Sequence, residues 1–222
     1  MLPLWDAHPP RRAPVMTAIL ILVNLAVFAY EVHLAMVGRM GPFVYAYALV
    51  PRRLLAGWDD GGQWLTILTH MFLHGGFAHV LGNGWFLWVF GRNVEDRLGS
   101  GRFLLLYVFA GVAAAAAQML AAPDSPLPML GASGAISGVL GAYLVLFPTA
   151  WIYALVPWIV PIVPVPALVF LVVWFVVQAF NGLGALLDSR LGGGVAWWAH
   201  AGGFAAGMGL LLLARSRTRP RR

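Results

Sequence analysis

The sequence predicts an all-α integral membrane protein that folds as a bundle of six transmembrane helices. Of its 222 residues, 61% are hydrophobic and 10% are charged, whereas soluble domains carry about 25% charged residues. Six apolar runs approach the length of about 20 residues that a helix needs to span a bilayer. Arginines cluster before the first run and after the last one, which is typical of termini on the cytoplasmic side.

The six predicted spans follow one another without a polar linker, so the chain is expected to form one membrane domain. That domain covers residues 15–214, between a cytoplasmic N-terminal segment, 1–14, and a basic cytoplasmic tail, 215–222. The predicted spans are 15–37, 76–91, 101–121, 132–147, 165–182 and 195–214.

Two segments depart from a simple series of helices. The apolar stretch 64–91 is longer than one span needs, and Gly75-Gly76 interrupts it. Because glycine weakens a helix interior, we expect 64–74 to be a short interfacial or re-entrant piece. The segment 148–166 contains repeated prolines and is expected to be a connection at the cytoplasmic surface.

The charges indicate topology rather than a nucleic-acid partner. The net charge of +6 comes largely from the arginines at the two ends. The segment 91–102 carries cations and is expected on the cytoplasmic side too, whereas Arg39, Arg52 and Arg53 do not fit this rule. The chain has no cysteine, which excludes disulfides, cysteine-bound metal and thiol catalysis. The arginine-rich ends favour a bacterial plasma (inner) membrane, with both termini cytoplasmic.

Polar side chains within the apolar segments are costly to keep there, so each is a candidate functional residue. With the N-terminus inside, the second, fourth and sixth spans begin at the outer side. The polar residues of these three spans then lie within roughly 10 Å of the outer helix ends. The candidates are His70, His74, His79, Asn83, Gln118, Ser133, Ser137, Gln178 and His200.

Small residues supply the means for two of these helices to approach closely. The serine lies in GASGAISGVLG at 131–141, and Ala199, Gly203 and Gly207 recur at every fourth position around the histidine. Small residues at this spacing let helix backbones meet in lipid. We therefore expect the Ser133 hydroxyl to come within hydrogen-bond reach of the His200 ring, as nucleophilic catalysis requires.

Other interpretations of these residues exist. A glycine and alanine stripe with a serine is usually helix packing, and a lone histidine near a helix end is usually a packed residue. The pair His70 and His74, followed by His79, would also suit metal or haem ligation, because residues four apart share a helical face. We expect no aspartate or glutamate to accompany these histidines, so a hydrolytic metal site is disfavoured and neither metal nor cofactor is expected.

Taken together, three motifs resemble those of the rhomboid family of intramembrane serine proteases. They are HMFLHGGFAHVLGN at 70–83, GASG at 131–134 and AHAGG at 199–203. Each is weak alone, but their order on alternate helices is specific. The resemblance covers residues 15–214 and implies the minimal six-helix bacterial form, a rhomboid-like bundle.

The resemblance implies a role for each matching residue. Ser133 would be the nucleophile and His200 the general base of a Ser-His dyad. His79, Asn83 and the backbone N–H of Ser133 would stabilise the oxyanion. The remaining matches would be supporting residues: His70, His74, Gly131, Gly134 and Gly203 at the site, and Glu95, Gly99 and Arg102 in a fold-stabilising motif.

The chain departs from the family pattern at two places. Trp64 is followed by Leu65, where an arginine is common in the family, which questions any special role of that loop. In some members an aromatic residue one turn after the serine stacks on the histidine, but here that position is Ser137. Another group must therefore orient His200.

The implied function is hydrolysis of peptide bonds in or near the transmembrane helices of membrane-protein substrates, at the outer side of the bilayer. The expected partners are such substrates and the lipid bilayer, and the residues do not indicate an oligomeric state. Helix five and the glycine-containing loop 183–194 are candidates for a gate. The alternatives are a relative that binds membrane proteins without cutting them, and a haem or metal protein that uses His70, His74, His79 and His200.

Overall fold

A computed structural model describes residues 1–57, 59–156, 160–187 and 196–218. Within these residues, α-helices make up most of the chain and three short strands form one sheet. A 3-10 turn, His70–Phe72, follows α4, and a π-helical segment, Leu87–Gly91, joins α5 to α6. In chain order the elements are β1 (Leu2–Asp6), α1 (Val15–Met36), α2 (Met40–Tyr47), α3 (Pro51–Ala56), α4 (Gly61–Thr69), α5 (Phe77–Phe86), α6 (Arg92–Leu98), α7 (Ser100–Ala121), α8 (Ser133–Leu146), β2 (Trp151–Val156), β3 (Val160–Pro166), α9 (Ala167–Leu187) and α10 (Trp197–Thr218).

The predicted helical membrane bundle is confirmed, and the chain is an integral membrane protein. The helices α1, α7, α9 and α10 are each long and apolar enough to cross a bilayer. α8 is apolar but has only 14 residues, while α5, the π-helical segment and α6 continue without a break from 77 to 98. The backbone leaves its helix between α4 and α5, where Gly75-Gly76 predicted an interruption.

The sheet was not predicted. β1 pairs antiparallel with β2, and β2 pairs antiparallel with β3, so parts of the expected N-terminal segment and of the expected connection are strands. Three of the prolines that suggested a connection, Pro161, Pro164 and Pro166, lie in β3, an edge strand of the sheet, where proline is tolerated. Most of the loop 183–194 lies outside the described residues, although α9 continues to Leu187.

Asp6 attaches β1 to the helical bundle. Its side chain is fully buried and accepts hydrogen bonds from Asn93 Nδ2 at 2.6 Å and from the hydroxyl of Tyr143. Asn93 belongs to α6 and Tyr143 to α8. Because a buried carboxylate needs such donors, this contact fixes the sheet at one end of the bundle, which we call the sheet end.

Two of the three arginines that do not fit the charge rule, Arg52 and Arg53, have structural contacts. Arg53 donates to the carbonyl of Ala48 at 2.9 Å and to Gln63 Oε1 at 2.8 Å. Arg52 Nε donates to the carbonyl of Asp124 at 3.1 Å. Both cations thus satisfy carbonyls of irregular segments beside α3, which gives them a role independent of topology.

The close approach of α8 and α10 that the small residues predicted is confirmed. A Cβ atom on Gly203 would overlap the carbonyl oxygen of Gly134, and one on Gly207 would overlap that of Gly138. Each glycine therefore lies directly against the backbone of the facing helix. Such contacts are a means of helix association in lipid, where burial of apolar side chains supplies no driving force.

We expect Gly207→Ala to destabilise the fold and Gly209→Ala to leave it unharmed. The Gly207 variant forces α8 and α10 apart, so its free energy of unfolding is expected to fall by about 1–3 kcal/mol. Gly209 lies on the same helix, but nothing is within 4 Å of its Cβ position, so alanine there is expected to be neutral or to gain about 0.5–1 kcal/mol. Unfolding of both variants in detergent micelles measures the difference. Equal stabilities would contradict this account of the helix contact.

Glu95 joins the first turns of two helices. Its carboxylate accepts hydrogen bonds from the backbone N–H of Met16 and of Thr17, both at 2.8 Å, and from the hydroxyls of Thr17 at 2.7 Å and Ser100 at 2.6 Å. It thus caps the N-terminus of α1, where N–H groups have no intrahelical acceptor. Burial opposes ionisation, but the bonds from Ser100, Met16 and Thr17 outweigh it and hold the pKa of Glu95 below its ordinary value.

We expect Glu95→Gln to lower the stability at neutral pH by about 1–3 kcal/mol, because the amide is a weaker acceptor and brings donors of its own. The lowered pKa means that the ionised form stabilises the fold. This contribution is complete above the ordinary carboxyl pKa of about 4.3 and is lost as the pH falls through the lower native value. Wild-type and variant melting temperatures should therefore converge in acid. Asp96→Asn is the control, because the carboxylate of Asp96 accepts an exposed hydrogen bond from the backbone N–H of Arg12.

Candidate active site

Three helices bring their first turns together at the end of the bundle opposite the sheet, which we call the site end. Ser133 is the first residue of α8, His79 lies in the first turn of α5 and His200 in the first turn of α10. Asn83 lies one turn further along α5 than His79. The predicted polar residues of the second, fourth and sixth spans are therefore neighbours in space.

The side chains of Ser133 and His200 are in hydrogen-bond contact. The Ser133 Oγ is 2.8 Å from His200 Nε2. On the other side of the ring, His200 Nδ1 is 2.7 Å from Gln178 Oε1, on α9. With a proton on Nδ1, His200 donates to the glutamine carbonyl, and Nε2 is left to accept from the serine hydroxyl. This is the arrangement in which a histidine activates a serine.

Two tryptophans surround the His200 ring. The ring centroid of Trp174, on α9, is 6.2 Å away, and that of Trp197 is 6.0 Å away in an edge-on arrangement. Ser137, at the position where some relatives have an aromatic residue, instead donates its hydroxyl to the carbonyl of Ser133 at 2.6 Å. Aromatic packing around the histidine thus comes from α9 and α10 rather than from α8.

His79 and Asn83 present hydrogen-bond donors beside the serine. The backbone N–H of Gly75 donates to His79 Nδ1 at 3.3 Å, so the neutral ring carries its proton on Nε2. That Nε2 would be 2.6 Å from a Cβ atom on Gly131, which places it next to the backbone just before Ser133. Asn83 Nδ2 is buried and has no hydrogen-bond partner. Both groups are available to an oxygen that arrives from outside the protein.

A cavity of about 550 Å³ contains these groups. Ser133, His200, His79 and Asn83 all line it, together with Gln178 and the ring of Trp174. The cavity is large enough for part of a peptide chain, and its few polar groups converge around the serine. Such convergence of few polar groups in a mostly apolar cavity is typical of a binding or catalytic site.

The remaining predicted residues support this arrangement by contact. His70 accepts a hydrogen bond on its carbonyl from Gly131 N at 2.9 Å, and its Nδ1 is 2.9 Å from the carbonyl of Thr66. The ring of His74 packs edge-on against that of His79, with centroids 5.1 Å apart. Their contacts connect the loop before α5 to the segment before α8.

The three supporting glycines occupy positions where a side chain does not fit. Gly131 has φ +120°, a conformation that other residues rarely adopt. A Cβ atom on Gly134 would lie 2.7 Å from that of Ala114, and Gly203 meets the carbonyl of Gly134 as described above. Gly131 thus admits the His79 ring, Gly134 admits α7, and Gly203 lets α10 approach the helix that carries Ser133.

The structure corrects the expectation that no acidic residue accompanies the histidines. Glu31, on α1, is 2% exposed, and its carboxylate oxygens lie 3.1 and 3.2 Å from the backbone N of His74. The rule that draws attention to polar residues inside spans would have identified Glu31 within 15–37. Its partner is backbone, and the described residues contain no group of three His, Cys, Asp or Glu suited to a metal ion.

The Rhomboid domain family model matches residues 61–217 of the chain. The chain is a member of the rhomboid family. The matched range contains every residue of the site except Glu31, which lies on α1. The family resemblance found in the three motifs is therefore confirmed over more than half of the sequence.

Relatives of this rhomboid occur in bacteria, plants and yeast. Rhomboid protease GluP of Bacillus subtilis is 48% identical over 83 residues, which are 37% of this chain and 16% of GluP. RHOMBOID-like protein 5 of Arabidopsis thaliana is 30% identical over 183 residues, 81% of this chain and 53% of the relative. Rhomboid protein 1, mitochondrial, of Saccharomyces cerevisiae is 30% identical over 190 residues, which are 84% of this chain and 49% of the relative. The chain thus spans about half or less of these relatives.

We expect Glu31→Leu to loosen the loop between the 3-10 turn and α5, because it leaves the buried N–H of His74 without an acceptor. If the free energy of opening this loop falls by about 1–3 kcal/mol, the amide of His74 should exchange roughly 5- to 150-fold faster. Glu31→Gln keeps one acceptor oxygen and should exchange more slowly than the leucine variant. Hydrogen exchange in micelles measures this, and equal protection in all three proteins would show that the contact does not hold the loop.

Proposed function

We propose that this rhomboid is an intramembrane serine endopeptidase that hydrolyses peptide bonds in or near the transmembrane helices of membrane-protein substrates. The observation that supports this most directly is the contact of Ser133 Oγ with His200 Nε2 at 2.8 Å, inside a cavity with unpaired donors. A histidine nitrogen placed to accept the hydroxyl proton of a serine serves nucleophilic attack. Family membership and the protease relative GluP support the same conclusion.

In the proposed reaction, Ser133 Oγ attacks the carbonyl carbon of the scissile bond, and His200 Nε2 takes the hydroxyl proton. The carbonyl oxygen becomes an oxyanion, which accepts hydrogen bonds from His79 Nε2–H, from Asn83 Nδ2–H and from the backbone N–H of Ser133. Ser133 begins α8, where N–H groups have no intrahelical acceptor. Each such donor contributes about 10²–10³ in kcat in better-known serine proteases.

The second half of the reaction uses the same groups. His200 returns the proton to the departing amine, which leaves an ester between the substrate and Ser133. Water then attacks this ester, with His200 again accepting a proton, and hydrolysis restores the serine. No cofactor is needed for either half.

The site also suggests where substrates reach it. A helical substrate must unwind before its carbonyls are open to attack, since helical carbonyls are already hydrogen-bonded. The serine, His79 and His200 all lie in first helical turns at the site end, close to the surface of the bundle. We place this end at the outer side of a bacterial plasma membrane, with the sheet and both termini in the cytoplasm, as the terminal arginines favour.

We expect the wild-type protein to cut a single-pass reporter membrane protein in liposomes, and Ser133→Ala and His200→Ala to abolish cutting. Ser137→Ala is the matched control, because this serine lies one turn further along α8 and bonds only the carbonyl of Ser133. It should keep most of the activity. A fluorophosphonate that reacts with activated serines should label the wild type and the Ser137 variant alone. Equal cutting by wild type and Ser133→Ala, or none across a panel of reporters, would refute the protease function.

A further inference from the structure

Gln178 is a buried polar residue in the middle of α9. It is 8% exposed and lies in a helix that is otherwise apolar enough to span the membrane. An amide in this setting requires a partner, since an unpaired buried polar group is costly. Its Oε1 is 2.7 Å from His200 Nδ1, so its partner is the histidine that also contacts Ser133.

The orientation of this amide determines which ring nitrogen of His200 carries the proton. With the carbonyl Oε1 toward the ring, the proton lies on Nδ1, and Nε2 can accept the hydroxyl proton of Ser133. With the amide nitrogen toward the ring, Nδ1 would be an acceptor and Nε2 would already be protonated. Only the first arrangement makes His200 a base for Ser133.

Other groups near the ring do not perform this task. The described residues that line the cavity include no aspartate or glutamate, and their one other titratable side chain is His79, on α5. Gln118, on α7, accepts from the backbone N–H of Ala199 at 3.3 Å and so holds the first turn of α10 rather than the ring. Trp174 and Trp197 pack against the ring.

We propose that Gln178 is the positioning residue of the site, which holds His200 in the tautomer that accepts a proton from Ser133. This inference rests on the proposed protease function and extends its Ser-His pair to a third member on α9. When His200 takes the serine proton at Nε2, Nδ1 keeps its own proton. Gln178 Oε1 then remains the acceptor for a charged donor, which strengthens the bond as the reaction proceeds.

Nitrogen NMR tests the tautomer without reference to activity. In protein labelled with ¹⁵N-histidine, the His200 signals are identified by their loss in His200→Ala. We expect the neutral ring of the wild type to be protonated on Nδ1, and Gln178→Leu to shift the population toward protonation on Nε2. An Nε2-protonated ring in the wild type, or the same tautomer in both proteins, would overturn the inference even if the protein cuts nothing.

Kinetics on the reporter test the consequence for the reaction. Gln178→Leu should lower kcat about 10- to 100-fold with little change in KM, since it removes an acceptor for the charged ring. Gln178→Glu restores an acceptor and adds a negative charge that favours the protonated ring. Its kcat should therefore exceed that of the leucine variant. The acidic limb of its kcat/KM profile should move to higher pH, by about 1–3 pH units.

Val177→Ala is the matched control, because Val177 directly precedes Gln178 on α9 and is 47% exposed. It should resemble the wild type in every measurement. If Gln178 served packing alone, the leucine variant would melt at a lower temperature but show an unchanged kcat per folded molecule, and the glutamate variant would show an unmoved pH profile. An inactive wild type would instead refute the protease function, with the tautomer result still deciding the role of Gln178.

Discussion

The backbone contact between α8 and α10 is the constraint on which the site depends. Ser133 and His200 lie in the first turns of these two helices, so the way the helices pack sets the distance between the two side chains. The contact exists because Gly141, Gly203 and Gly207 have no Cβ atom where the helices cross. The residues that would permit the proposed chemistry are therefore mostly ones that take no part in it.

Two carboxylates then fix α1 to the rest of the bundle, one at each end. At the sheet end, Glu95 of α6 accepts from the N–H groups of Met16 and Thr17. At the site end, Glu31 of α1 accepts from the N–H of His74, whose ring packs on His79. In both places a carboxylate binds backbone N–H groups that have no other acceptor. A change at Glu31 therefore alters how α1 supports the loop before α5.

The sequence predicted what depends on local composition. The spans followed from apolar length, and the meeting of α8 with α10 followed from glycine spacing around Ser133 and His200. The sheet did not follow, because β1 pairs with β2 across more than half of the chain and the prolines of β3 suggested a connection. Glu31 and Gln178 are polar residues inside predicted spans, so the sequence could flag them. Their roles depend on which atoms face His74 and His200, and spacing along one helix does not give that.

The use of an amide beside His200 has a physical reason in a membrane. A carboxylate at Gln178 would have to lose its hydration inside the bundle, which is costly without a full set of partners. It would also favour the protonated ring, and a ring that is already charged cannot accept the proton of Ser133. An amide carbonyl accepts from Nδ1–H without either effect, and Asn83 supplies a neutral amide donor on the oxyanion side. In the proposed reaction the amides of Gln178 and Asn83 therefore interact with a charged ring and an oxyanion only when the serine proton moves. Preorganised dipoles lower a barrier at that moment.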